Sequence, residues 1–273
     1  MKISTEKIKE LEDKAKILRK SVIEMLSLAA SGHPGGSLSC ADIITALYFH
    51  ALRFDPKNPN WRERDRFHMS KGHACPVLYA ALAEVGYFPK EELKKLRKLG
   101  ALLQGHPDRR TPGIEVASGS LGQGLSVGLG MALAGKIDKL NYRVFVLLGD
   151  GEIQEGNVWE AAMAASHYKC DRLCAIVDYN GFQIDGKISE IMEIEPLADK
   201  WRAFGWKVIE IDGHNMRQIL QALETAGKVK DTPTVIIAKT VKGKGVSFME
   251  HVVDFHGRAP NGEETKKALE ELK

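Results

Sequence analysis

Apolar residues recur along this chain in two rhythms. Over residues 5–30, Leu11, Ala15, Leu18, Val22, Met25 and Leu26 fall on one helical face and charge covers the rest. The spacing predicts a helix that stops at Ser31-Gly32, since glycine closes helix C-termini. Further on the rhythm changes to short unbroken apolar runs. Residues 144–148 stop at Gly149-Asp150-Gly151-Glu152, an alanine-rich segment covers 159–165, and 173–177 end in Asp178-Tyr179-Asn180. Such runs, bounded by glycine and polar residues, suit buried parallel strands. The pattern is strand, helix, strand, a right-handed unit whose strands lie side by side or nearly so.

The remaining segments follow the same logic. His33-Pro34-Gly35-Gly36-Ser37 is expected as a loop, because proline and paired glycines do not continue a helix. A second helix is expected from Ser39, with Asp42 completing a weak capping box and Ile43, Leu47 and Leu52 turned inward. Residues 55–66 read as an exposed loop. An apolar helix over 76–85 ends at Gly86, and Pro89 opens a short helix that Gly100 closes. Residues 104–124 hold two prolines and five glycines, and a loop that long in a compact domain is usually functional.

Gly124, Gly128, Ala132 and Gly135 form a flat stripe at helical spacing, suited to close approach against the sheet or a partner. Glycine costs about 1 kcal/mol relative to alanine in a helix interior, so packing must favour it there. Strands are expected at 206–211 and 234–238 around a helix at 216–226, and a polar helix at 263–273 ends the chain. No repeat or linker divides it. The expectation is an α/β fold over 1–273 as a single domain, a mostly parallel sheet with helices on both faces.

Composition narrows the classes. At 273 residues the chain can bury one full core. Hydrophobic content of 44% and charged content of 27% describe a soluble globular protein. A net charge of +3 gives no reason to expect nucleic acid or an anionic membrane surface. No apolar run reaches membrane-span length, and the amino terminus leads into a charged helix instead of a signal peptide. Cys40, Cys75, Cys170 and Cys174 form no Cys-x-x-Cys pair, so neither a zinc site nor a disulfide frame is indicated. Reduced cytoplasm is the simplest compartment.

Candidate chemistry gathers where the central strands end, the edge at which open α/β sheets bind ligands. Asp150 offers a carboxylate and Asn180 a neutral carbonyl, too few for a calcium cage but suited to Mg²⁺, which completes its shell with phosphate and water. Gly151 lets backbone N–H groups approach a phosphate. Asp-Gly is also the commonest tight-turn signal, and the residues alone leave both readings open. Four histidines, His33, His73, His106 and His256, sit beside glycine in expected loops. Imidazole there suits proton transfer and hydrogen bonding to phosphate or sugar, or simply a surface role.

Gly149-Asp150-Gly151 followed by Asn180 resembles the metal–diphosphate motif of thiamine-diphosphate enzymes. Ser31-Gly32-His33-Pro34-Gly35-Gly36, Lys71-Gly72-His73, Gly105-His106-Pro107 and Gly119-Ser120-Leu121-Gly122-Gln123-Gly124 narrow the resemblance to transketolase. It runs over nearly the whole chain but covers only the amino-terminal, diphosphate-binding part of that enzyme. The resemblance implies thiamine diphosphate and Mg²⁺ as cofactors, with Ca²⁺ or Mn²⁺ able to substitute. Asp150, Asn180 and the backbone carbonyl of Phe182 would bind the metal. Gly151, His73 and Lys242 would contact the diphosphate, and Gly119 and Leu121 the aminopyrimidine. His33, His106 and His256 would surround the reacting carbon and donor sugar, His256 reaching the diphosphate as well.

Glu155 matches a family glutamate in a carboxylate network joining paired sites, although the helix dipole alone would also favour an acid there. Two positions depart from the family: Tyr179 stands where an Asp or Asn often precedes the ligand Asn, and Gly36 replaces a hydroxyl that bonds phosphate in some relatives.

The glutamate that triggers the cofactor in the family lies on a pyrimidine-binding domain this chain lacks. The resemblance therefore implies the amino-terminal subunit of a split transketolase, inactive alone. It would pair with a carboxyl-terminal subunit in an α2β2 heterotetramer and act on sugar phosphates. An apolar, glycine-lined surface on the carboxyl side of the sheet is expected to dock the partner. Three alternatives stand beside it. One is half of a deoxyxylulose-phosphate synthase or of a ketol transferase for unusual sugars, one a non-catalytic phosphate-binding module, and one an inactive regulatory subunit. No Gly-Lys is followed by Ser or Thr, and Gly122-Gln123-Gly124 lacks dinucleotide spacing, so the second is disfavoured.

Overall fold

A computed structural model describes residues 3–273. Helix α1 (Thr5–Ala29) begins at a Ser4 cap whose side chain accepts from Lys7 N, and ends in left-handed Ala30. Helix α2 (Pro34–Ser39) and helix α3 (Ala41–Ala46), extended by a π-helical turn over Leu47–Ala51, lead to strand β1 (Arg66–Met69) and helix α4 (Cys75–Glu84). After a long irregular passage come helix α5 (Gln123–Ile137), strand β2 (Val144–Gly149), helix α6 (Gly156–His167) and strand β3 (Leu173–Tyr179). A small ribbon, β4 (Phe182–Gln183) with β5 (Gly186–Lys187), precedes helices α7 (Ile188–Ile191) and α8 (Leu197–Ala203). Strand β6 (Lys207–Asp212), helix α9 (Met216–Ala226), strand β7 (Thr234–Lys239) and helix α10 (Gly262–Glu271) complete the order.

Five strands form one parallel sheet in the order β1-β2-β3-β7-β6. Side chains alternate across it, as strand geometry requires. Phe145, Leu147, Cys174, Ile176 and Ile236 join a core with α1, α3, α4 and α9. Val146, Leu148, Ala175, Val177 and Ile237 join a second core with α5, α6 and α8. Both faces are covered, which explains why the strands read as continuous apolar runs. The expected α/β fold is present, and β2 and β3 are neighbours, with Gly149 paired to Asp178. No helix among the described residues is long and apolar enough to cross a membrane.

Several local expectations are corrected. Residues 34–39 form a helix and not a loop: Pro34 occupies its first turn, where a missing N–H costs nothing. Gly35 is tolerated there because a Cβ would lie 3.0 Å from both the Lys242 side chain and the Phe255 carbonyl. Ser39 and Asp42 make no capping box; Ser39 reaches Asp178 and Asp42 pairs with Arg19. Residues 66–69 form an edge strand too short for the apolar pattern to show.

Within the expected exposed loop, Asp65 is buried by Arg53 and Arg143. The glycine stripe of α5 faces the sheet: a Cβ on Gly128 would lie 2.3 Å from Val146, and one on Gly135 2.7 Å from Tyr142. That stripe is therefore not a docking surface.

Candidate active site at the carboxyl edge of the sheet

Parallel strands deliver their final residues to one edge, and here β2, β3 and β7 end around a cleft of about 350 Å³. Asp150, Gly151 and Glu155 come from the β2–α6 turn, Asn180 and Phe182 from beyond β3, and Lys242 from beyond β7. His33 and Gly36 come from the start of α2, Lys71 and His73 from beyond β1, Gly119 and Leu121 from the long loop, and His256 from the turn over Val253–His256. Every residue expected at the site lines this cleft except His106. Its ring stands one layer out, 3.3 Å from where a Cβ on Gly119 would sit.

Asp150 is 2% exposed. Its carboxylate accepts from Gly151 N at 2.9 Å and from Gly181 N at 2.5 Å. Burial, then the nearby Asp178 charge, push its pKa up to about 7. No cation among the described residues pairs with it. Asn180 donates through Nδ2 to Asp178 at 3.3 Å, which directs its carbonyl oxygen away from that acid; the oxygen accepts from Phe182 N at 3.2 Å. No three His, Cys, Asp or Glu side chains cluster as a metal site among the described residues. One carboxylate, one amide carbonyl and one backbone carbonyl make a different, all-oxygen set, and that set fits a hard cation.

The imidazoles of His33, His73 and His256 cluster with ring centroids 5.2–5.7 Å apart, His73 and His256 stacked and His33 tilted or edge-on to them. Burial, Arg97, His106 and Lys242 lower His33 to about 4; burial and Lys242 lower His256 to about 3. His73 is held well below the usual range by burial and Lys71. All three are neutral at physiological pH, each with one donor and one acceptor nitrogen. Lys242 Nζ lies 2.8 Å from His256 Nδ1. An ammonium can only donate, so the His256 hydrogen sits on Nε2. Burial and Lys71 lower Lys242 to about 8. A cation that costs this much to hold in a cleft indicates an anion-binding role.

The sequence alone assigns no role to several residues of the site. Lys71 donates to Gly36 O at 2.9 Å and pairs with Asp178, both side chains buried. Asp178 also accepts from Ser39 at 2.5 Å and from Thr240. Burial works against the Asp178 charge, yet Lys71 and the two hydroxyls outweigh it and hold the acid below its ordinary range. Glu152 accepts from Ser70, and from Gly122 N and Gly149 N at 2.9 Å each, tying the long loop to the end of β2.

Glu155 stands on the exposed rim, its side chain against Gly122, whose φ of +81° leaves no place for a Cβ. Tyr179 turns aside and donates to Glu195 at 2.7 Å. Gly36 faces Lys71 and His73, each within 3.5 Å of a would-be Cβ.

A carboxylate needing a cation, a buried lysine, three neutral imidazoles and a glycine-rich loop are the parts required to hold a diphosphate and move protons beside it. The family described as "Transketolase, thiamine diphosphate binding domain" matches residues 11–272. The chain is 48% identical to a 6-deoxy-6-sulfo-D-fructose transketolase subunit of Clostridium sp. (strain MSTE9), covering 96% of each chain. It is 44% identical to an apulose-4-phosphate transketolase subunit of Phocaeicola vulgatus, covering 97% of this chain and 94% of that one.

Human transketolase is 44% identical over 93% of this chain, which spans only 40% of the human length. The crystal structure of Campylobacter jejuni transketolase superposes with a TM-score of 0.92 at 36% identity, covering all of this chain and 43% of that one. The matched family spans both sheet faces and the whole cleft, and this chain belongs to it: the thiamine-diphosphate-binding, amino-terminal part of transketolase.

Proposed function

We propose that this chain is the amino-terminal subunit of a two-chain transketolase. With a carboxyl-terminal partner it transfers a two-carbon ketol unit from a ketose phosphate to an aldose phosphate. One observation carries the reading: the similarity is end to end with transketolase subunits, while the single-chain enzymes are more than twice as long.

When bound, thiamine diphosphate supplies the nucleophilic carbon and the electron sink for C2–C3 cleavage. Asp150, Asn180 and the Phe182 carbonyl hold Mg²⁺, whose charge removes the penalty on the buried Asp150 carboxylate. Gly151, His73, Lys242 and His256 take the diphosphate, and Gly119 and Leu121 border the pyrimidine. His33, His106 and His256 hydrogen-bond the sugar oxygens and carry protons to and from them. Glu155, on the open rim, faces the partner.

The partner docks on the outer faces of α5 and α6, which both start at the cleft. There Gly130 and Ala134 are exposed, Ile137 is 78% exposed and Met163 59%. A Cβ on Gly130 would meet nothing within 4 Å, so no contact among the described residues accounts for a glycine in mid-helix. An α2β2 assembly completes two such clefts. Four free, buried cysteines accord with a cytoplasmic setting.

The test is a ketol-transfer assay with thiamine diphosphate and Mg²⁺ on the tagged protein purified with its native partner, beside the recombinant chain alone. The end-to-end relatives are named for 6-deoxy-6-sulfo-D-fructose and apulose 4-phosphate, so both serve as donors alongside ordinary ketose phosphates. Activity is expected in the complex alone. Turnover by the isolated chain would overturn the two-chain reading.

A further inference from the structure

His214 lies between α3 and the loop after β7, outside the cleft, and sits beside Gly213 as the four site histidines sit beside glycines. Its Nε2 accepts from the backbone N–H of Val241 at 2.8 Å. That bond fixes the tautomer: Nδ1 carries the hydrogen and gives it to Asp42 Oδ2 at 2.8 Å. Asp42 is held in turn by Arg19, whose two terminal nitrogens reach its two oxygens at 3.1 and 2.6 Å. Arg19 and Asp42 are 6% and 7% exposed. A chain of oriented groups thus runs from α1 through α3 and His214 to one amide.

That amide directly precedes Lys242. The loop is pinned on either side by backbone bonds, Thr240 N to Tyr179 O at 2.9 Å and Gly243 N to Gly35 O at 3.0 Å. Of these three amides, that of Val241 alone donates to a side chain. From it the Lys242 side chain passes Gly35 and ends against His256. Lys242 is a long, flexible side chain whose head is fixed only if its backbone is.

We propose that His214, oriented by Asp42 and Arg19, is a positioning residue for Lys242, and through it for the diphosphate end of the cleft; the second half rests on the role proposed above for Lys242. His214 touches no reacting group. It acts as second-layer partners act around catalytic side chains, by removing alternative positions of the group that does the work.

The test needs no cofactor. Lysines of the full chain are acetylated under limiting reagent and read by mass spectrometry, together with amide exchange at Val241, in wild type, His214→Leu and His214→Gln. The leucine variant should raise Val241 exchange and Lys242 acetylation by about tenfold, the signature of a local opening, while buried Lys71 stays protected. The glutamine variant, whose carbonyl oxygen can take the place of Nε2, should restore most of the protection and remains informative if the leucine variant folds poorly. Lys242 protection unchanged in both variants, or Lys71 and Lys242 exposed together, would overturn the positioning role. Thiamine diphosphate with Mg²⁺ is then titrated into the complex with the native partner. Unchanged affinity with Lys242 displaced would refute the diphosphate role of Lys242 and leave the positioning intact.

Discussion

Two buried carboxylates stand on neighbouring strands at one sheet edge, and the chain treats them oppositely. Asp178 is the penultimate residue of β3 and receives Lys71, Ser39, Thr240 and Asn180; these together keep it ionised. Asp150 follows β2 and receives two backbone N–H groups, with burial and Asp178 pushing its pKa up to about 7. Both are almost completely excluded from water. The first is completed by groups of its own chain and works as structure. The second is left for a cation from outside, which is how a ligand site differs from a core ion pair.

Breaking the completed site should have the largest effect. Lys71→Met leaves Asp178 charged and unpaired in the interior, which costs about 3–5 kcal/mol, read by denaturant unfolding. Adding Asp178→Asn should recover much of that loss, because no bare charge remains. A single variant within about 1 kcal/mol of wild type would mean the pair is not what holds these loops.

Asp150→Asn tests the unfinished site and has the opposite sign. An acid raised on folding destabilises the fold as pH climbs from the unfolded value near 4 to the folded value near 7, and the full cost applies above that. The metal-free variant should therefore be more stable than wild type at pH 8 by roughly 1–3 kcal/mol, one N–H having lost its acceptor. The gain should fade as pH drops from about 7 to about 4. In the complex with its partner, Mg²⁺ and thiamine diphosphate should stabilise wild type strongly and the variant little. A metal-free variant less stable than wild type at pH 8 would remove the premise that Asp150 lacks a cation.

The sequence shows the ligand half of this contrast better than the structural half. Asp150 and Asn180 are legible because each follows an apolar run that only a buried parallel strand explains, and strand ends locate an edge. Lys71 carries no such mark, and Asp178, although it follows the same run as Asn180, gives no sign of its partner, since their pairing joins the ends of β1 and β3 across β2, a separation of 107 residues. Strand β1 itself is invisible, with two large apolar side chains in four residues. Helix α2 is misread because Pro-Gly-Gly punctuates chains in isolation, whereas here Lys242 and Phe255 crowd Gly35 and select glycine within a helix. His214 has the same glycine neighbour as the site histidines and could be singled out with them on that ground. Only the tertiary structure separates a histidine in the cleft from one that anchors a loop behind it.

Helix α5 repeats the contrast on a smaller scale, since its glycines divide into those the chain accounts for and one it does not. Gly128→Ala would set a Cβ 2.3 Å from Val146 and 3.3 Å from Leu173, so the helix must lift from the sheet. Overpacking of this kind costs about 1–3 kcal/mol. Gly130→Ala points into open space and should stabilise the isolated chain by up to about 1 kcal/mol, the difference in helix propensity. If the outer face of α5 seats the partner's backbone closely, the same methyl group should weaken assembly, and sedimentation of the variant with the native partner would show a larger dissociated fraction. The two measurements together decide the matter. Stabilisation of the free chain with assembly unchanged would place the partner elsewhere, whereas stabilisation with weakened assembly would mean that Gly130 is kept for a contact this chain does not make alone.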